Sequence, residues 1–282
     1  MKNKTILITG ASDGIGKQSA LRLAGMGAHI VMVGRSRSKT LAALDQIQVL
    51  HPHAKLDYLL ADLSVQSEVR KLAEEFKSKF ERLDVLMNNA GAIFLTRKES
   101  VDGIEMTLAL NHLNYFLLTK LLLDVLKASG KARIVNVSSG AHYRGQMNFE
   151  DLEWRKGYKG LAVYSQSKLA NVMFTHALAR RLEGTQITAN SLHPGFVRSS
   201  FTLNNGWGMR LISPLVFRKA ITVEEGAETQ VYLASSPEVE GVSGKFFYRS
   251  KEKTPSDLSL IIDDQERLWE TSEKMTRLPE EQ

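Results

Sequence analysis

Short, continuously apolar runs alternate with longer helical segments along most of this chain. The first three runs are KTILIT (4–9), HIVMVG (29–34) and KLDYLLAD (55–62). A strand that is apolar at nearly every position is covered on both of its faces, and the intervening helices supply that cover. The alternation therefore predicts a largely parallel sheet with helices on both sides.

The same pattern continues to the C-terminal part of the chain. Further strands are predicted at 83–89, 133–139, 187–194 and 244–248, which makes seven in all. Helices are predicted at 16–27, 37–50, 65–80 with Ser64 as N-cap, 164–184, and as two long helices near 101–129. No internal repeat or low-complexity linker divides the sequence, so we expect one doubly wound α/β domain over residues 1–282.

Composition excludes several kinds of site. The 282 residues are 43% hydrophobic and 24% charged, as in an ordinary globular protein. No cysteine is present, which excludes disulfides, thiolate metal sites and cysteine nucleophiles. The seven histidines are not accompanied by carboxylates in a metal-binding pattern. The sequence therefore predicts no metal.

Charge and hydropathy limit the partners. The net charge of +6 comes from interspersed residues without a long basic block, so we expect no nucleic-acid binding. The N-terminal apolar run ends at Gly10, too early for a signal peptide. The most apolar segment, YFLLTKLLLDVL, is interrupted by Lys120 and Asp124 and predicts a buried amphipathic helix, so no transmembrane segment is expected. We predict a cytoplasmic protein.

A glycine-rich loop, TGASDGIG (9–16), follows the first strand and opens the first helix. Glycines allow close approach of the backbone to a pyrophosphate, and the first N–H groups of a helix have no partners within the helix. Thr9 and Ser12 can brace the turn. This placement predicts a dinucleotide phosphate site, and the alternative is a glycine turn without a ligand.

The second strand ends in Gly34-Arg35-Ser36-Arg37 and carries no carboxylate. An acidic residue at this point would bind the adenosine ribose of NAD, whereas an arginine can pair with the 2′-phosphate of NADP. We therefore expect NADP(H) to be preferred, with NAD(H) still open. Asp13, in the glycine loop, is acidic and not basic, so the selection of the 2′-phosphate falls to Arg35 and Arg37. The alternative is that both arginines are solvated residues at a helix start.

Tyr164 and Lys168 lie four residues apart in a predicted helix and therefore share one face. A free phenol has a pKa of about 10, and a nearby ammonium, together with the positive nicotinamide of an oxidised cofactor, is expected to lower the pKa of Tyr164. The phenol can then exchange a proton with an alcohol or a carbonyl oxygen. Taken alone, the pair also occurs by chance on many helices.

These motifs together resemble the short-chain dehydrogenase/reductase family. The glycine loop is followed by Asp62-Leu63, Asn88-Asn89-Ala90-Gly91, Asn111, Ser138-Ser139, Tyr164-x-x-x-Lys168 and Pro194-Gly195. The resemblance implies a Rossmann fold and a catalytic set of Asn111, Ser139, Tyr164 and Lys168, with Ser138 as the alternative serine. It also implies cofactor contacts from Gly10, Ser12, Asp13, Gly14, Ile15, Gly16, Arg35, Arg37, Asp62, Leu63, Asn89, Ala90, Gly91, Tyr164, Lys168, Pro194, Val197 and Ser199.

The long insertion between Ser139 and Tyr164 is similar to that of the retinol dehydrogenase-like and WW-domain oxidoreductase-like branch. That branch acts on lipophilic alcohols and aldehydes. The resemblance implies an apolar substrate, a lid at about 198–222 and a C-terminal extension at about 250–282, and His142 is the histidine that could touch substrate. A homodimer through helices near 112–129 and 164–183, and peripheral contact of the lid with a membrane, stay open. The alternative function is a catalytically silent NADP(H) sensor or scaffold.

Overall fold

The computed structural model describes residues 1–197 and 220–277. Its strands form one sheet in the order β3-β2-β1-β4-β5-β6-β7-β8, and only β8 is antiparallel to its neighbour. The predicted fold class is confirmed, with one short extra strand beyond the predicted seven. The strands are β1 Thr5–Thr9, β2 His29–Gly34, β3 Leu56–Leu60, β4 Val85–Asn88, β5 Ala132–Val137, β6 Ile187–His193, β7 Phe246–Tyr248 and β8 Lys251–Glu252.

Helices cover both faces of the sheet, as the apolar strands require. The helices are α1 Gly14–Gly25, α2 Arg37–Leu50, α3 Gln66–Lys79, α4 Met106–Leu108, α5 Asn114–Leu121, α6 Leu123–Ala128, α7 Gly160–Arg181, α8 Val223–Ser235 and α9 Ile262–Thr276. A π-helical turn, Ala109–Leu113, joins α4 to α5. Single 3₁₀ turns lie at Gly140–Arg144, Pro237–Val239 and Asp257–Leu260.

Alternate residues of each central strand enter two separate cores. Leu7 and Val31 point to the face covered by α3, α5 and α7. Ile6, Ile8 and Met32 point to the opposite face, where α1, α2 and α8 pack. Successive strand side chains project to opposite faces, so a run of apolar residues fills both cores.

Two local predictions are wrong. Ser64 does not cap α3: its backbone N–H and its hydroxyl both donate to the Asp62 carboxylate, and Val65 precedes the helix without a side-chain cap. The region 101–129 does not hold two long helices, because α4, the π-helical turn, α5 and α6 follow one another as short pieces.

The C-terminal part of the chain packs against the body of the protein. Helix α9 lies against α7 and the π-helical turn. Trp269 of α9 packs against the rings of Phe116 and Phe174, with ring centroids 4.9 and 5.8 Å away. Glu266 pairs with Arg181 at 2.5 Å. Helix α9 therefore covers part of the surface of α5 and α7 through which the homodimer was expected, and the homodimer itself stays a prediction.

Candidate active site

The candidate site lies at the carboxyl edge of the sheet, beside the point where strand order reverses between β1 and β4. In doubly wound sheets, ligands bind at this edge and at this reversal. The glycine loop follows β1, the Asn88–Gly91 turn ends β4, and the Ser138-Ser139 pair follows β5. The structure therefore brings together the motifs that the sequence placed far apart.

The glycine loop has a backbone that needs glycine. Gly10 and Gly14 have φ values of +67° and +54°, a region that residues with a side chain rarely adopt. A Cβ on Gly16 would lie 2.5 Å from both the Asn89 side-chain nitrogen and the Gly10 carbonyl oxygen. Helix α1 begins at Gly14, so its first N–H groups point towards this loop. Loop and helix end together fit a bound pyrophosphate.

Thr9 and Asn89 join the loop to the end of β4. The Thr9 hydroxyl accepts hydrogen bonds from the backbone of Asn89 at 2.8 Å and of Ala90 at 3.0 Å. The Asn89 side chain donates to the Thr9 carbonyl at 2.8 Å and accepts from Gln230 of α8 at 3.2 Å. Gln230 was missed at the sequence level, because a lone glutamine in an amphipathic helix gives no signal of such a distant partner.

The other predicted loop contacts also lie at this edge. Asp13 is exposed and acts as N-cap of α1, accepting from the Gly14 N–H at 2.7 Å. Its carboxylate stands at the helix end where an anion would bind, which works against a phosphate there. Ser12 lies beside Gly34 at the end of β2, and Ile15 packs near Gly226 of α8.

Arg35 extends from the end of β2 with a side chain that is 77% exposed, and its guanidinium lies 3.4 Å from the Asp62 carboxylate. Burial opposes ionisation of Asp62, but hydrogen bonds from Ser64 and the charge of Arg35 outweigh it and lower the pKa of Asp62. Arg37 is exposed at the first position of α2, and Leu63 is buried beside Asp62. Asp62 thus holds Arg35 at the edge of the site.

Ser139, and not Ser138, faces the phenol of Tyr164. The Ser139 side chain hydrogen-bonds the Tyr164 side chain. Ser138 is buried, and its hydroxyl donates to the backbone carbonyl of Lys168 at 2.7 Å. Between the two serines, the structure therefore favours Ser139 as the partner of Tyr164.

The expected lowering of the Tyr164 pKa is wrong for this structure. Burial raises the pKa of Tyr164 to about 12, and the hydrogen bond with Ser139 opposes that rise only in part. The Lys168 ammonium donates to the Val137 carbonyl at 3.0 Å. Its nitrogen lies 5.8 Å from the centre of the Tyr164 ring.

Lys168 is buried below Tyr164 on α7, with 2% of its surface exposed. Burial disfavours the ammonium and lowers the pKa of Lys168 to about 7. A Cβ on Gly91 would lie 3.4 Å from the Lys168 nitrogen and 3.1 Å from the Asn111 amide oxygen. Because Gly91 has no side chain, the space beside the Lys168 nitrogen and the Asn111 amide oxygen stays open.

Asn111 lies in the π-helical turn. Its side-chain oxygen accepts from the Ala92 N–H at 2.9 Å, and its nitrogen donates to the Ala92 carbonyl at 2.9 Å and to Ser167 at 3.0 Å. Its backbone carbonyl accepts from the Asn171 side chain at 2.9 Å. Single π-helical turns within α-helices are frequent at functional sites.

His142 is not free to contact a substrate through its ring nitrogens. Nδ1 donates to the Ser139 carbonyl at 2.7 Å, and Nε2 accepts from the Ser256 N–H at 3.2 Å. Burial lowers its pKa, which favours this neutral form. His142 instead ties Ser139 to the C-terminal part of the chain.

The Pro194-Gly195 segment follows β6 at the same edge. Val197 forms an isolated bridge with Ile221, and the Ile221 N–H donates to the Phe196 carbonyl at 2.9 Å. The predicted contact of Ser199 and the lid at 198–219 lie outside the described residues. Within the described ranges, no group of three or more histidine or acidic side chains is arranged to hold a metal ion. No helix in those ranges is long and apolar enough to cross a membrane.

The fold and this site define a nicotinamide-dependent oxidoreductase of the doubly wound class. The chain belongs to the short chain dehydrogenase family, which matches residues 4–206, and it acts on CH–OH groups with NAD(P). It is 40% identical to "Retinol dehydrogenase 14" of Mus musculus, over 98% of this chain and 86% of that protein. It is 38% identical to "Polyprenol dehydrogenase" of Homo sapiens, over 97% of this chain and 85% of that protein.

Solved structures agree with this assignment. An uncharacterised protein from Mycobacterium paratuberculosis is 33% identical, with a TM-score of 0.80, and the match covers 98% of this chain and 94% of that one. A short chain dehydrogenase from Burkholderia cenocepacia, solved in complex with NADP, is 25% identical with a TM-score of 0.68, over 87% of this chain and 96% of that one. The chain is thus an oxidoreductase related to retinol dehydrogenases.

Proposed function

We propose that this protein interconverts an apolar alcohol and its aldehyde or ketone, with NADP(H) as the preferred cofactor. The observation that carries this proposal is the contact of the Ser139 hydroxyl with the Tyr164 phenol, beside the buried Lys168 and next to the glycine loop. A protein that only binds a dinucleotide has no need of this hydroxyl pair.

When bound, the nicotinamide would supply or accept the hydride, and the glycine loop and Arg35 would hold the dinucleotide. Tyr164 donates a proton to the carbonyl oxygen during reduction and removes one from the alcohol during oxidation. Ser139 donates a second hydrogen bond to the same oxygen and stabilises its developing charge. Lys168, whose pKa of about 7 lets it gain or lose a proton near neutrality, supports the charge changes of the phenol.

The raised pKa of Tyr164, about 12, makes this phenol a poor proton acceptor in the structure as it stands. Oxidation of an alcohol therefore needs added positive charge close to the phenol. A protonated Lys168 that leaves the Val137 carbonyl would supply such charge, and so would an oxidised nicotinamide. Reduction of a carbonyl, in which Tyr164 gives a proton, is compatible with the phenol as observed.

The substrate class is supported by the relatives. Retinol and polyprenol, named for the relatives that are 40% and 38% identical, are both lipophilic alcohols. We propose that this chain takes a medium or large apolar substrate of the same chemical class. The cytoplasmic location, the single-domain organisation and the membrane contact of the lid remain predictions.

The preference for NADP is supported by Arg35. It stands at the end of β2, where an acidic residue would favour NAD, and its exposed guanidinium is available to a 2′-phosphate. The complex of the Burkholderia cenocepacia relative with NADP is in keeping with this choice. The negative charge of Asp13 opposes binding of a phosphate, so we propose that Arg35 provides most of the preference for NADP.

Replacement of Tyr164 by phenylalanine tests the proposal. We expect Tyr164→Phe to reduce kcat by about 10²–10⁴-fold, the usual contribution of general acid–base catalysis, and to leave the Kd for NADPH unchanged. The assay follows NADPH oxidation with a panel of aldehydes, ketones and quinones. Tyr158→Phe is the matched control, because the Tyr158 hydroxyl bonds Phe94 and Glu105 away from Ser139.

Two results would contradict the proposed function. Undiminished turnover by Tyr164→Phe would remove the phenol from the mechanism. Tight NADPH binding by the unaltered protein, without turnover of any substrate in the panel, would instead favour a silent sensor or scaffold.

A further inference from the structure

A buried chain of hydrogen bonds connects the C-terminal helix α9 to the catalytic region. The Ser272 hydroxyl lies 2.9 Å from Nε2 of His112, and Nδ1 of His112 lies 3.3 Å from the Asn171 side-chain oxygen. All three residues are at most 1% exposed. These hydrogen bonds therefore link α9, the π-helical turn and α7 inside the protein, where a polar group left without a hydrogen bond destabilises the fold.

The direction of each hydrogen bond follows from the partners. The Asn171 nitrogen donates to the Asn111 carbonyl at 2.9 Å and to the Val137 carbonyl at 3.4 Å. Carbonyls only accept, so the amide oxygen of Asn171 must face His112. Burial lowers the pKa of His112 to about 4, so the ring is neutral, and the Asn171 oxygen places its proton on Nδ1. Nε2 is then an acceptor, and the single Ser272 hydroxyl proton is shared between Nε2 at 2.9 Å and the Leu268 carbonyl at 2.7 Å.

One of the two carbonyls held by Asn171, that of Val137, borders Lys168. The Val137 carbonyl accepts from the Lys168 ammonium at 3.0 Å, and the Asn111 residue lies beside Gly91 next to the same ammonium. Asn171 therefore fixes the π-helical turn against the end of β5, whose last carbonyl also binds Lys168. The titratable side chains of Tyr164 and Tyr115 lie next to the Lys168 nitrogen, with ring centres at 5.8 and 5.7 Å.

We propose that Asn171 and His112 are positioning residues for Lys168, and that Ser272 of α9 completes their network. The C-terminal helix would then be a structural part of the active site, although it lies far from the cofactor loop in sequence. This inference rests on the proposed roles of Lys168 and Asn111.

A matched pair of substitutions separates hydrogen bonding from packing. His112→Asn keeps an N–H donor near the position of Nδ1, whereas His112→Leu fills a similar volume and has no donor. Loss of a hydrogen bond to a buried acceptor is expected to lower kcat roughly tenfold or more in His112→Leu, while His112→Asn retains most of the activity. A packing role would reverse this order, since leucine suits an apolar interior better.

The ionisation of Lys168 gives a measurement that does not depend on turnover. NMR titration of protein labelled with ¹⁵N-lysine, assigned with Lys168→Met, follows the Lys168 amine directly. Asn171→Asp places a carboxylate beside the Val137 carbonyl, so we expect the pKa of Lys168 to rise by roughly one unit or more. In His112→Leu the Asn171 oxygen loses its donor, so the amide holds the Val137 carbonyl less firmly. That carbonyl is then freer to accept from the Lys168 ammonium, and a smaller rise in the pKa of Lys168 is expected.

The results are read together with thermal unfolding of each variant. A Lys168 pKa that does not move in His112→Leu or in folded Asn171→Asp would overturn the proposal, as would a His112→Leu enzyme more active than His112→Asn. If Asn171→Asp does not fold, the test rests on kcat and on the pKa of Lys168 in His112→Leu and His112→Asn. A protein that turns over no substrate would refute the proposed function, yet the titration of Lys168 would still decide the positioning role.

Discussion

Arg35 shows what a single residue contributes to cofactor choice. Its guanidinium is mostly in solvent and is held by the Asp62 carboxylate at 3.4 Å. A charged hydrogen bond to a phosphate is worth about 1.5–3 kcal/mol, so we expect Arg35→Ala to raise the KM for NADPH roughly 10–100-fold. The KM for NADH should stay the same, because NADH lacks the 2′-phosphate. Steady-state kinetics with both cofactors measures the difference.

Arg37→Ala is the matched control, since Arg37 is also exposed near the end of β2. We expect it to change the KM for NADPH less than Arg35→Ala does. Equal losses with NADPH and NADH in Arg35→Ala would show that the arginine stabilises the fold or the adenosine and does not select the phosphate.

Single residues were predictable from sequence where their role depends on local spacing. Tyr164 and Lys168 are four apart on one helix, and Gly10 and Gly16 stand in one short loop. The pKa of Tyr164 was not predictable, because it depends on burial, which comes from the packing of distant parts of the chain, and on the hydrogen bond with Ser139. The role of His142 depends likewise on Ser256, a partner more than a hundred residues away.

Among the secondary-structure elements, strands were predicted best. The bounds of β2 and α2 agree with the structure to the residue, because an apolar run or a helical pattern is a local property. The region 106–128 was not predictable in this way. In its π-helical turn, the Asn111 side chain bonds the Ala92 backbone, and the Asn111 carbonyl accepts from the Asn171 side chain. Both partners lie outside this region, so the local pattern does not reveal them.

The starts of β1 and β4 are joined by one buried carboxylate, which should make stability depend on pH. Asp84 is 2% exposed and accepts hydrogen bonds from Arg82, Lys4 and the Thr5 N–H. Burial alone would raise its pKa, but these bonds outweigh burial and lower it. The stabilisation is therefore complete above the unfolded pKa of about 3.9 and is lost as pH falls through the lower folded pKa.

Asp84→Asn removes this dependence. We expect it to lower the free energy of unfolding at pH 7 by about 2–3 kcal/mol, because the charged hydrogen bonds become neutral ones. Urea unfolding between pH 7 and pH 3 measures the change. Asp124→Asn is the control: its carboxylate is 65% exposed and pairs with Lys77, so an effect below about 1 kcal/mol is expected. Equal pH profiles for the Asp84 variant and the unaltered protein would contradict the assignment.

For the whole molecule, the C-terminal part is integrated with the catalytic core. Ser256 meets His142, and Ser272 meets His112, so two histidines connect residues beyond β8 to the Ser139 and Asn111 regions. The sequence predicted only an extension at this end of the chain. Its docking could not be predicted, because the aromatic and polar residues that receive α9 are spread over α5, α7 and the π-helical turn.

Trp269 provides a test of this docking. The side chain is 4% exposed, packs on Phe116 and Phe174, and lies under the Arg181 guanidinium at 4.0 Å. Trp269→Ala should lower the free energy of unfolding by about 3–5 kcal/mol, the usual cost of removing a large buried aromatic side chain. Urea unfolding monitored by circular dichroism measures this loss.

The neighbouring residue supplies the control, because Glu270 is exposed on the same helix. Glu270→Ala should change the free energy of unfolding by less than about 0.5 kcal/mol. Loss of α9 docking would also uncover Phe116 and Phe174, so we expect Trp269→Ala to associate more strongly with itself in sedimentation experiments. If Trp269→Ala were as stable and as monodisperse as Glu270→Ala, the packing of α9 on α5 and α7 would contribute little to the fold, and the pairing of those two helices with a second copy would become the better account of their apolar surface.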